Sequence, residues 1–307
     1  MSLTPASEDT APTGQQPAKP KTPPPPPLAT EQVEYTPSGI VLPLWSGTPP
    51  GEIAPEVPEV TAIVRNYIHG EHININNVWQ PQIEVFPAPA DKNTGAAVIV
   101  CPGGCYRFLS YTMEGTEMAK WLNAIGVTCV VLKYRVPQRE GADLGEIELK
   151  DAQRALSVVR ARAGEWGVDP ERVGIMGFSA GAHLSALAST APGRTYDPVD
   201  AADTQNPRPN FAILMYPAYI FEAGEAGPLL PVTAQTPPSI LIQAGDDPYP
   251  CESSLAYFAA LRNAGVPVEL HLYSTGGHGY GLRQTGYPSQ TWPACVAEWL
   301  NINGWLK

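Results

Sequence analysis

The segment from Arg172 to Ser189, RVGIMGFSAGAHLSALAS, decides the fold of this 307-residue chain. Its first residues are apolar and typical of a strand, and the alanine- and leucine-rich run that follows is typical of a helix. Between them lies a G-x-S-x-G pattern, Gly177 to Gly181, with Ser179 at the corner. Small neighbours keep strand and helix from colliding at so sharp a turn, where the serine backbone is strained. The segment therefore predicts a nucleophile elbow; the alternative is an ordinary glycine-rich turn with a capping serine.

Segments with the character of strands and helices alternate through most of the chain. Buried parallel strands are predicted at 96–101, 127–132, 211–215 and 239–243. A short apolar strand is predicted at 172–176, and the last strand, at 268–273, has an alternating pattern. Helices are predicted at 114–125, 145–163, 180–189, 253–263 and 291–300. Three earlier segments with an alternating pattern, expected to form the antiparallel edge of the same sheet, are 60–64, 72–75 and 82–86. The chain is therefore predicted to be an α/β protein with a three-layer α/β/α arrangement and a mostly parallel sheet of about eight strands.

Two further features of the chain carry structural expectations. Residues 216–238 are too rich in proline and glycine for a good helix, so we expect a crossover reduced to a loop, with little or no cap over the site. Asp151 and Arg154 lie three residues apart in a predicted helix and are expected to pair on its surface.

The composition of the chain indicates how many domains it has and which classes of partner are excluded. Residues 1–32 are rich in proline, threonine and alanine and are predicted to be a disordered linker, which leaves 33–307 for a single catalytic domain. The formal net charge of -11 argues against a nucleic-acid partner or an anionic membrane surface. No apolar run reaches the roughly 20 residues that span a bilayer, so no membrane insertion is expected. A linker that acts as a tether suits a secreted or periplasmic protein; a cytoplasmic location and the oligomeric state stay open.

The five cysteines show neither a CxxC pair nor a Cys/His spacing typical of zinc. We therefore expect no metal site and no cofactor. Cys105 and Cys251 both lie in loops expected near the active site, and a disulfide between them is left open because sequence does not fix connectivity.

A serine nucleophile needs a base, and the base needs an acid that orients it. The strand predicted at 239–243 is followed by Asp246 and Asp247, and the last predicted strand is followed by His278 between glycines. Ligands gather at the carboxyl ends of parallel strands, and Ser, Asp, His is the chain order of α/β-hydrolases. The predicted triad is Ser179, Asp247 and His278. Asp247 is favoured because it lies deeper in the turn, and Asp246 stays open as the alternative.

Backbone N–H groups are expected to form an oxyanion hole. One is that of Ala180, directly after the nucleophile, and the others belong to Gly104 and Cys105 in the loop after the first parallel strand. His183 lies one helical turn beyond Ser179, so we expect it to be structural rather than the base.

Four motifs together resemble a bacterial α/β-hydrolase family of esterases related to acetyl xylan and feruloyl esterases. They are CPGGCY at 101–106, GFSAGAH at 177–183, DDP at 246–248 and GHGYG at 277–281. The resemblance covers roughly residue 80 to the end and implies a triad of Ser179, Asp247 and His278. The chain departs from the family pattern at Cys105 and at Ala182, where the family usually has glycine.

The resemblance and the predicted triad together favour a serine carboxylic ester hydrolase acting on small-molecule or carbohydrate esters, most simply a carbohydrate acetylesterase. Tyr106, Tyr249 and Tyr280 fall in strand-end loops and are candidates for stacking on sugar rings, with packing as the alternative. The alternatives for function are a feruloyl esterase or a serine exopeptidase on the same fold and, more remotely, a non-catalytic binding protein.

Overall fold

A computed structural model describes residues 29–52, 57–66, 70–222 and 229–307. The predicted linker at 1–32 lies outside the described residues over 1–28. At its end the prediction was wrong, because Ala29–Gln32 forms a strand that pairs with a later strand of the chain.

Eleven strands are present in the described part of the chain. They are β1 (Ala29–Gln32), β2 (Ile40–Pro43), β3 (Val60–Asn66), β4 (Gly70–Asn76), β5 (Gln82–Phe86), β6 (Ala97–Cys101), β7 (Thr128–Lys133), β8 (Val173–Phe178), β9 (Ala212–Met215), β10 (Ser239–Ala244) and β11 (Val268–Tyr273). The main sheet has eight strands in the order β11-β10-β9-β8-β6-β7-β5-β2. Strands β11 through β7 in this order are parallel, and β5 and β2 add an antiparallel edge.

Five α-helices of the described residues pack on the two faces of this sheet. They are α1 (Glu117–Ala124), α2 (Glu146–Ala161), α3 (Ala180–Thr190), α4 (Glu252–Asn263) and α5 (Trp292–Ile302). The residues of β6, β8, β9 and β10 are all buried, as expected of parallel strands covered on both faces. The predicted α/β/α arrangement and the mostly parallel sheet of eight strands are confirmed.

A second, three-stranded sheet with the order β1-β3-β4 corrects the prediction for the antiparallel edge. Of the three alternating segments, only β5 joins the main sheet; β3 and β4 pair with each other and with β1. The small sheet is attached beside the loop that follows β6, since Tyr111 N–H donates to Ile73 O at 2.9 Å and Ile75 bridges to Leu109. It therefore stands next to the carboxyl ends of the parallel strands.

Helix α2 carries a buried ion pair that the sequence did not indicate. Asp151 accepts from Arg135, with Oδ1 2.8 Å from Nη2 and Oδ2 2.9 Å from Nε, and both side chains are fully buried. Arg154 pairs instead with Asp200 and Asp203, which follow α3. The expected surface pair of Asp151 and Arg154 was therefore wrong, because helix spacing does not reveal partners from other segments.

The connection from β9 to β10 holds no helix in the residues that the structure describes there, 216–222 and 229–238. Within the described chain, no helix is long and apolar enough to cross a bilayer.

Candidate active site

Ser179 lies at the corner between β8 and α3 with a strained backbone, φ 53° and ψ -115°. The strand and the helix approach each other so closely here that a Cβ added at Gly177 would lie 2.0 Å from Gly181 O. A Cβ added at Gly181 would lie 2.0 Å from Cys101 O. Both positions therefore require glycine, and the serine hydroxyl is presented at the end of the strand.

The structure brings the three residues of the predicted triad together. His278 Nε2 is 2.8 Å from Ser179 Oγ, and His278 Nδ1 is 2.8 Å from Asp247 Oδ2. The Asp247 carboxylate is fully buried and also accepts from Gln243 Nε2 at 3.0 Å and from Tyr249 N–H at 2.8 Å. These contacts hold the carboxylate in one orientation, which in turn orients the imidazole toward the serine.

Asp246 has a different place from Asp247. Its Oδ1 accepts the backbone N–H groups of Gly276 and Gly277, each at 2.8 Å. The two neighbouring acids therefore have different contacts. Asp247 contacts the imidazole of His278, and Asp246 anchors the loop that carries this histidine.

The loop after β6 places its N–H groups beside the serine. Gly103 N–H is already used, since it donates to Glu114 Oε2 at 2.9 Å. The N–H groups of Gly104, Cys105 and Ala180 make none of the hydrogen bonds found among the described residues. Cys105 has a positive φ of 56°, the conformation that a glycine adopts most readily. These three N–H groups are therefore free to bind a ligand atom, and their role as oxyanion donors stays a prediction.

Glu114 and Tyr216 form a buried hydrogen-bonded pair beneath His278 and the loop after β6, and the sequence did not indicate it. Glu114 Oε1 accepts from the Tyr216 hydroxyl at 2.7 Å, and the Tyr216 ring lies 4.8 Å from the ring of His278. Burial raises the pKa of Glu114, while hydrogen bonds from Tyr216 and Gly103 and the nearby His278 oppose the increase. No sequence motif marks this pair, because Glu114 and Tyr216 are 102 residues apart.

Two of the three tyrosines named as candidates for sugar stacking are buried and do not reach the cavity. Tyr106 is only 1% exposed, and its hydroxyl lies 2.8 Å from His183 Nδ1. Tyr280 is also 1% exposed and packs edge-on against Tyr216 at 4.6 Å. Only Tyr249 lines the cavity at the serine, with its ring 4.5 Å from that of His278. Strand-end position alone did not distinguish tyrosines facing the cavity from those packed beneath it.

His183 is buried beside Tyr106, as expected of a structural histidine, and burial lowers its pKa to about 4. Cys105 and Cys251 are both free thiols, so the disulfide left open by the sequence is not formed in this structure. The Cys105 sulfur instead lies 3.6 Å from the Tyr249 hydroxyl. In the described chain, no group of three or more His, Cys, Asp or Glu residues is arranged to hold a metal ion.

A cavity of about 240 Å³ opens at Ser179 and His278. Six of its lining residues come from the second sheet and from the chain that follows Tyr106, and none of these six was assigned to the site from sequence. These residues are Val64, His72, Asn74, Phe108, Ser110 and Met113. The period-2 pattern at 72–75 predicted a strand but not which surface it would face.

Comparison with known proteins finds one family and several esterases to which this chain is similar. Residues 83–214 match the family BD-FAE. An acetylxylan esterase of Xylanibacter ruminicola is 34% identical over 244 residues, which cover 71% of this chain and 46% of that protein. An acetyl ester-xyloside bifunctional hydrolase of Caldicellulosiruptor lactoaceticus is similar in structure, with 28% identity and a TM-score of 0.69, covering 88% of this chain and 98% of that one. An esterase of Thermogutta terrifontis, 22% identical, shares the fold with a TM-score of 0.63 over 74% of this chain and 89% of its own.

The fold and the site together define an α/β-hydrolase. This chain contains a BD-FAE domain and is a homologue of an acetylxylan esterase, which confirms the resemblance of its motifs to esterases related to the acetylxylan esterases. It spans about half the length of the curated relatives it matches, 46% of the acetylxylan esterase and 37% of a probable carboxylic ester hydrolase of Mycobacterium tuberculosis.

Proposed function

We propose that this chain is a serine carboxylic ester hydrolase that forms an acyl-enzyme on Ser179 and removes acetyl or other short acyl groups from carbohydrate. The observation that carries the proposal is the continuous hydrogen-bond chain Asp247–His278–Ser179, with two contacts of 2.8 Å, at the mouth of a cavity. This is the geometry that a nucleophile, its base and an orienting acid require.

The acylation step follows from the positions of these groups. Ser179 Oγ attacks the ester carbonyl carbon while His278 Nε2, 2.8 Å away, accepts the hydroxyl proton. The N–H groups of Gly104, Cys105 and Ala180 stabilise the negative charge that develops on the carbonyl oxygen. As the carbon–oxygen bond to the alcohol breaks, His278 donates its proton to the departing alkoxide, and the acyl group stays on Ser179.

Deacylation repeats the same chemistry with water as the nucleophile. His278 takes a proton from a water molecule, the resulting hydroxide attacks the acyl carbon, and the bond to Ser179 Oγ breaks. The proton then passes from His278 to Ser179 Oγ, and the carboxylic acid leaves. Asp247 keeps the same imidazole nitrogen facing the serine throughout, since its Oδ2 accepts from Nδ1.

The size of the cavity and the names of relatives support a short acyl group on a carbohydrate. A volume of about 240 Å³ accommodates an acetyl group and part of one sugar ring. The relatives include an acetylxylan esterase and an acetyl ester-xyloside bifunctional hydrolase. A feruloyl ester would use the same catalytic groups with a larger acyl part, so it is an outcome of the test below.

The cavity offers little support for the exopeptidase alternative, which needs an acid to bind a free amino terminus. Glu114 is the acidic residue among the described residues that line the cavity. Both of its oxygens are already engaged, one by Gly103 N–H and the other by the Tyr216 hydroxyl.

The test is steady-state hydrolysis of p-nitrophenyl acetate, butyrate and octanoate, alongside acetylated xylan and methyl ferulate. We expect acetate to be turned over fastest and acetate to be released from xylan; ferulate release as the main activity would move the substrate class to feruloyl esters. Ser179→Ala is expected to lower kcat by about 1,000-fold or more. Ser189→Ala is the matched control, a buried serine of the same helix whose hydroxyl donates to Ser185 O. Hydrolysis that survives Ser179→Ala would refute the acyl-enzyme.

A further inference from the structure

Three polar side chains outside the proposed catalytic groups line the same cavity. They are His72, Asn74 and Ser110, which are 9%, 9% and 5% exposed. Among the described residues, nothing hydrogen-bonds to His72 Nδ1, Asn74 Oδ1 or Ser110 Oγ. Buried polar atoms are normally paired, because an unpaired one loses its hydration without compensation. Three such atoms, in residues that line one cavity, therefore call for a shared explanation.

Strands β3 and β4 and the loop after β6 bring the three residues to the lining of the same cavity. His72 and Asn74 are two residues apart on β4, so they lie on the same face of the second sheet. Val64, which pairs with His72 in the register of β3 and β4, lines the cavity as well. Ser110 is fixed to the oxyanion loop, since its N–H donates to Gly103 O at 2.9 Å. The second sheet and the loop after β6 thus form one polar wall beside Ser179.

The chemistry of the unpaired atoms indicates what kind of group they bind. Burial lowers the pKa of His72, although a hydrogen bond with the Gly70 backbone opposes this shift, and a neutral imidazole carries one acceptor nitrogen. Asn74 Oδ1 is an acceptor, and a serine hydroxyl both accepts and donates. Such a set needs O–H or N–H donors from a ligand. An acetyl group has no donor, whereas the free hydroxyls of a sugar beside its acetylated oxygen have several.

We propose that His72, Asn74 and Ser110 form a subsite for the alcohol part of the ester, where they bind free hydroxyl groups of a sugar or a related polyol. This subsite rests on the proposed esterase function and deepens it. It assigns substrate selection to the small sheet, which contributes neither the nucleophile nor the base. Binding energy at this wall distinguishes hydroxyl-rich alcohols from aryl or alkyl alcohols, because only the former satisfy the buried acceptors.

The first experiment compares two esters of the same acid that differ in free hydroxyls. A methyl xyloside with one acetyl group presents hydroxyls to the wall, whereas the fully acetylated xyloside presents none. The measured quantity is the ratio of kcat/KM for the two compounds. We expect the wild type to favour the monoacetate and Asn74→Leu to lower the ratio at least tenfold.

Asn76→Leu is the matched control, because Asn76 is the same residue type on the same face of β4 and does not line the cavity. We expect it to leave the ratio within twofold of the wild type. Ser110→Ala, a smaller change in a different segment, is expected to lower the ratio in the same direction. Competitive inhibition of p-nitrophenyl acetate hydrolysis by methyl xyloside gives a second readout, and its inhibition constant should rise in Asn74→Leu and Ser110→Ala.

The outcomes separate this proposal from the esterase function. A wild type that hydrolyses p-nitrophenyl acetate through Ser179, with a ratio unchanged in Asn74→Leu and Ser110→Ala, would overturn the subsite and leave the esterase standing. A loss of selectivity between ethyl lactate and ethyl propionate, with the xyloside ratio unchanged, would assign the wall to the acyl group and refute the proposal for the alcohol. A wild type that hydrolyses no ester would refute both proposals.

Discussion

Asp247→Asn tests the role of the acid most sharply, because a neighbouring acid supplies a matched control. The carboxylate of Asp247 accepts from three donors: His278 Nδ1, Gln243 Nε2 and Tyr249 N–H. An asparagine has one acceptor oxygen and one NH₂ group. If the asparagine oxygen accepts from Tyr249 N–H, the asparagine NH₂ group faces His278 Nδ1 and Gln243 Nε2. If the amide is flipped, the NH₂ group faces Tyr249 N–H instead. Either orientation sets donors against donors.

The imidazole relieves this conflict by changing tautomer. With Nδ1 as acceptor, the proton moves to Nε2, which then donates toward Ser179 and no longer accepts the serine proton. We therefore expect kcat to fall by about 10³- to 10⁴-fold. At about 1.36 kcal/mol for each factor of ten, this is a loss of roughly 4 to 5.5 kcal/mol of transition-state stabilisation. KM is expected to change little, since the carboxylate is buried beneath the histidine.

Asp246→Asn is the control. The two N–H groups of Gly276 and Gly277 share Asp246 Oδ1, and an asparagine oxygen still accepts both. We expect kcat within about fivefold of the wild type, since only the charge that strengthens these bonds is lost. The assay is steady-state hydrolysis of p-nitrophenyl acetate, with thermal unfolding to show that both variants are folded. Equal losses in the two variants, or a larger loss in Asp246→Asn, would refute the assignment of Asp247.

Two further predictions concern buried carboxyl groups. Glu114→Gln leaves one acceptor oxygen for two donors, so Gly103 N–H or the Tyr216 hydroxyl loses its partner. Losing one charged hydrogen bond, about 1.5–3 kcal/mol, should lower kcat ten- to a hundredfold with little change in KM. An unchanged kcat would contradict the supporting role of Glu114. Burial raises the pKa of Glu148 from 4.5 to about 7, so the folded state loses stability as pH rises from about 4.5 to 7. Glu148→Gln should remove this loss, raising the free energy of unfolding by about 3 kcal/mol at pH 8 and by little at pH 4 in urea titrations; an equal change at both pH values would contradict it.

Local patterns were sufficient to predict the elbow, the parallel sheet and the candidates for the triad. A serine between two glycines, with a strand before it and a helix after it, is constrained by contacts within a few residues, as the approach of Gly177 to Gly181 shows. His278 contacts Ser179, which is 99 residues away along the chain, and Asp247, which is 31 residues away. They meet because each follows a parallel strand, and the carboxyl ends of parallel strands share one edge of the sheet.

Tertiary structure alone decided which surface each remaining residue faces. An alternating pattern predicts a strand but leaves its partner open. Strands β3 and β4 were therefore expected in the main sheet, although they belong to a second sheet that contributes Val64, His72 and Asn74 to the lining of the cavity. Tyr106 and Tyr280 were candidates for stacking on sugar rings with packing as the alternative, and packing against segments distant in sequence buries them. Asp151 pairs with Arg135 for the same reason. Burial and pairing depend on contacts between segments far apart in the chain, and residue spacing within one segment carries no information about them.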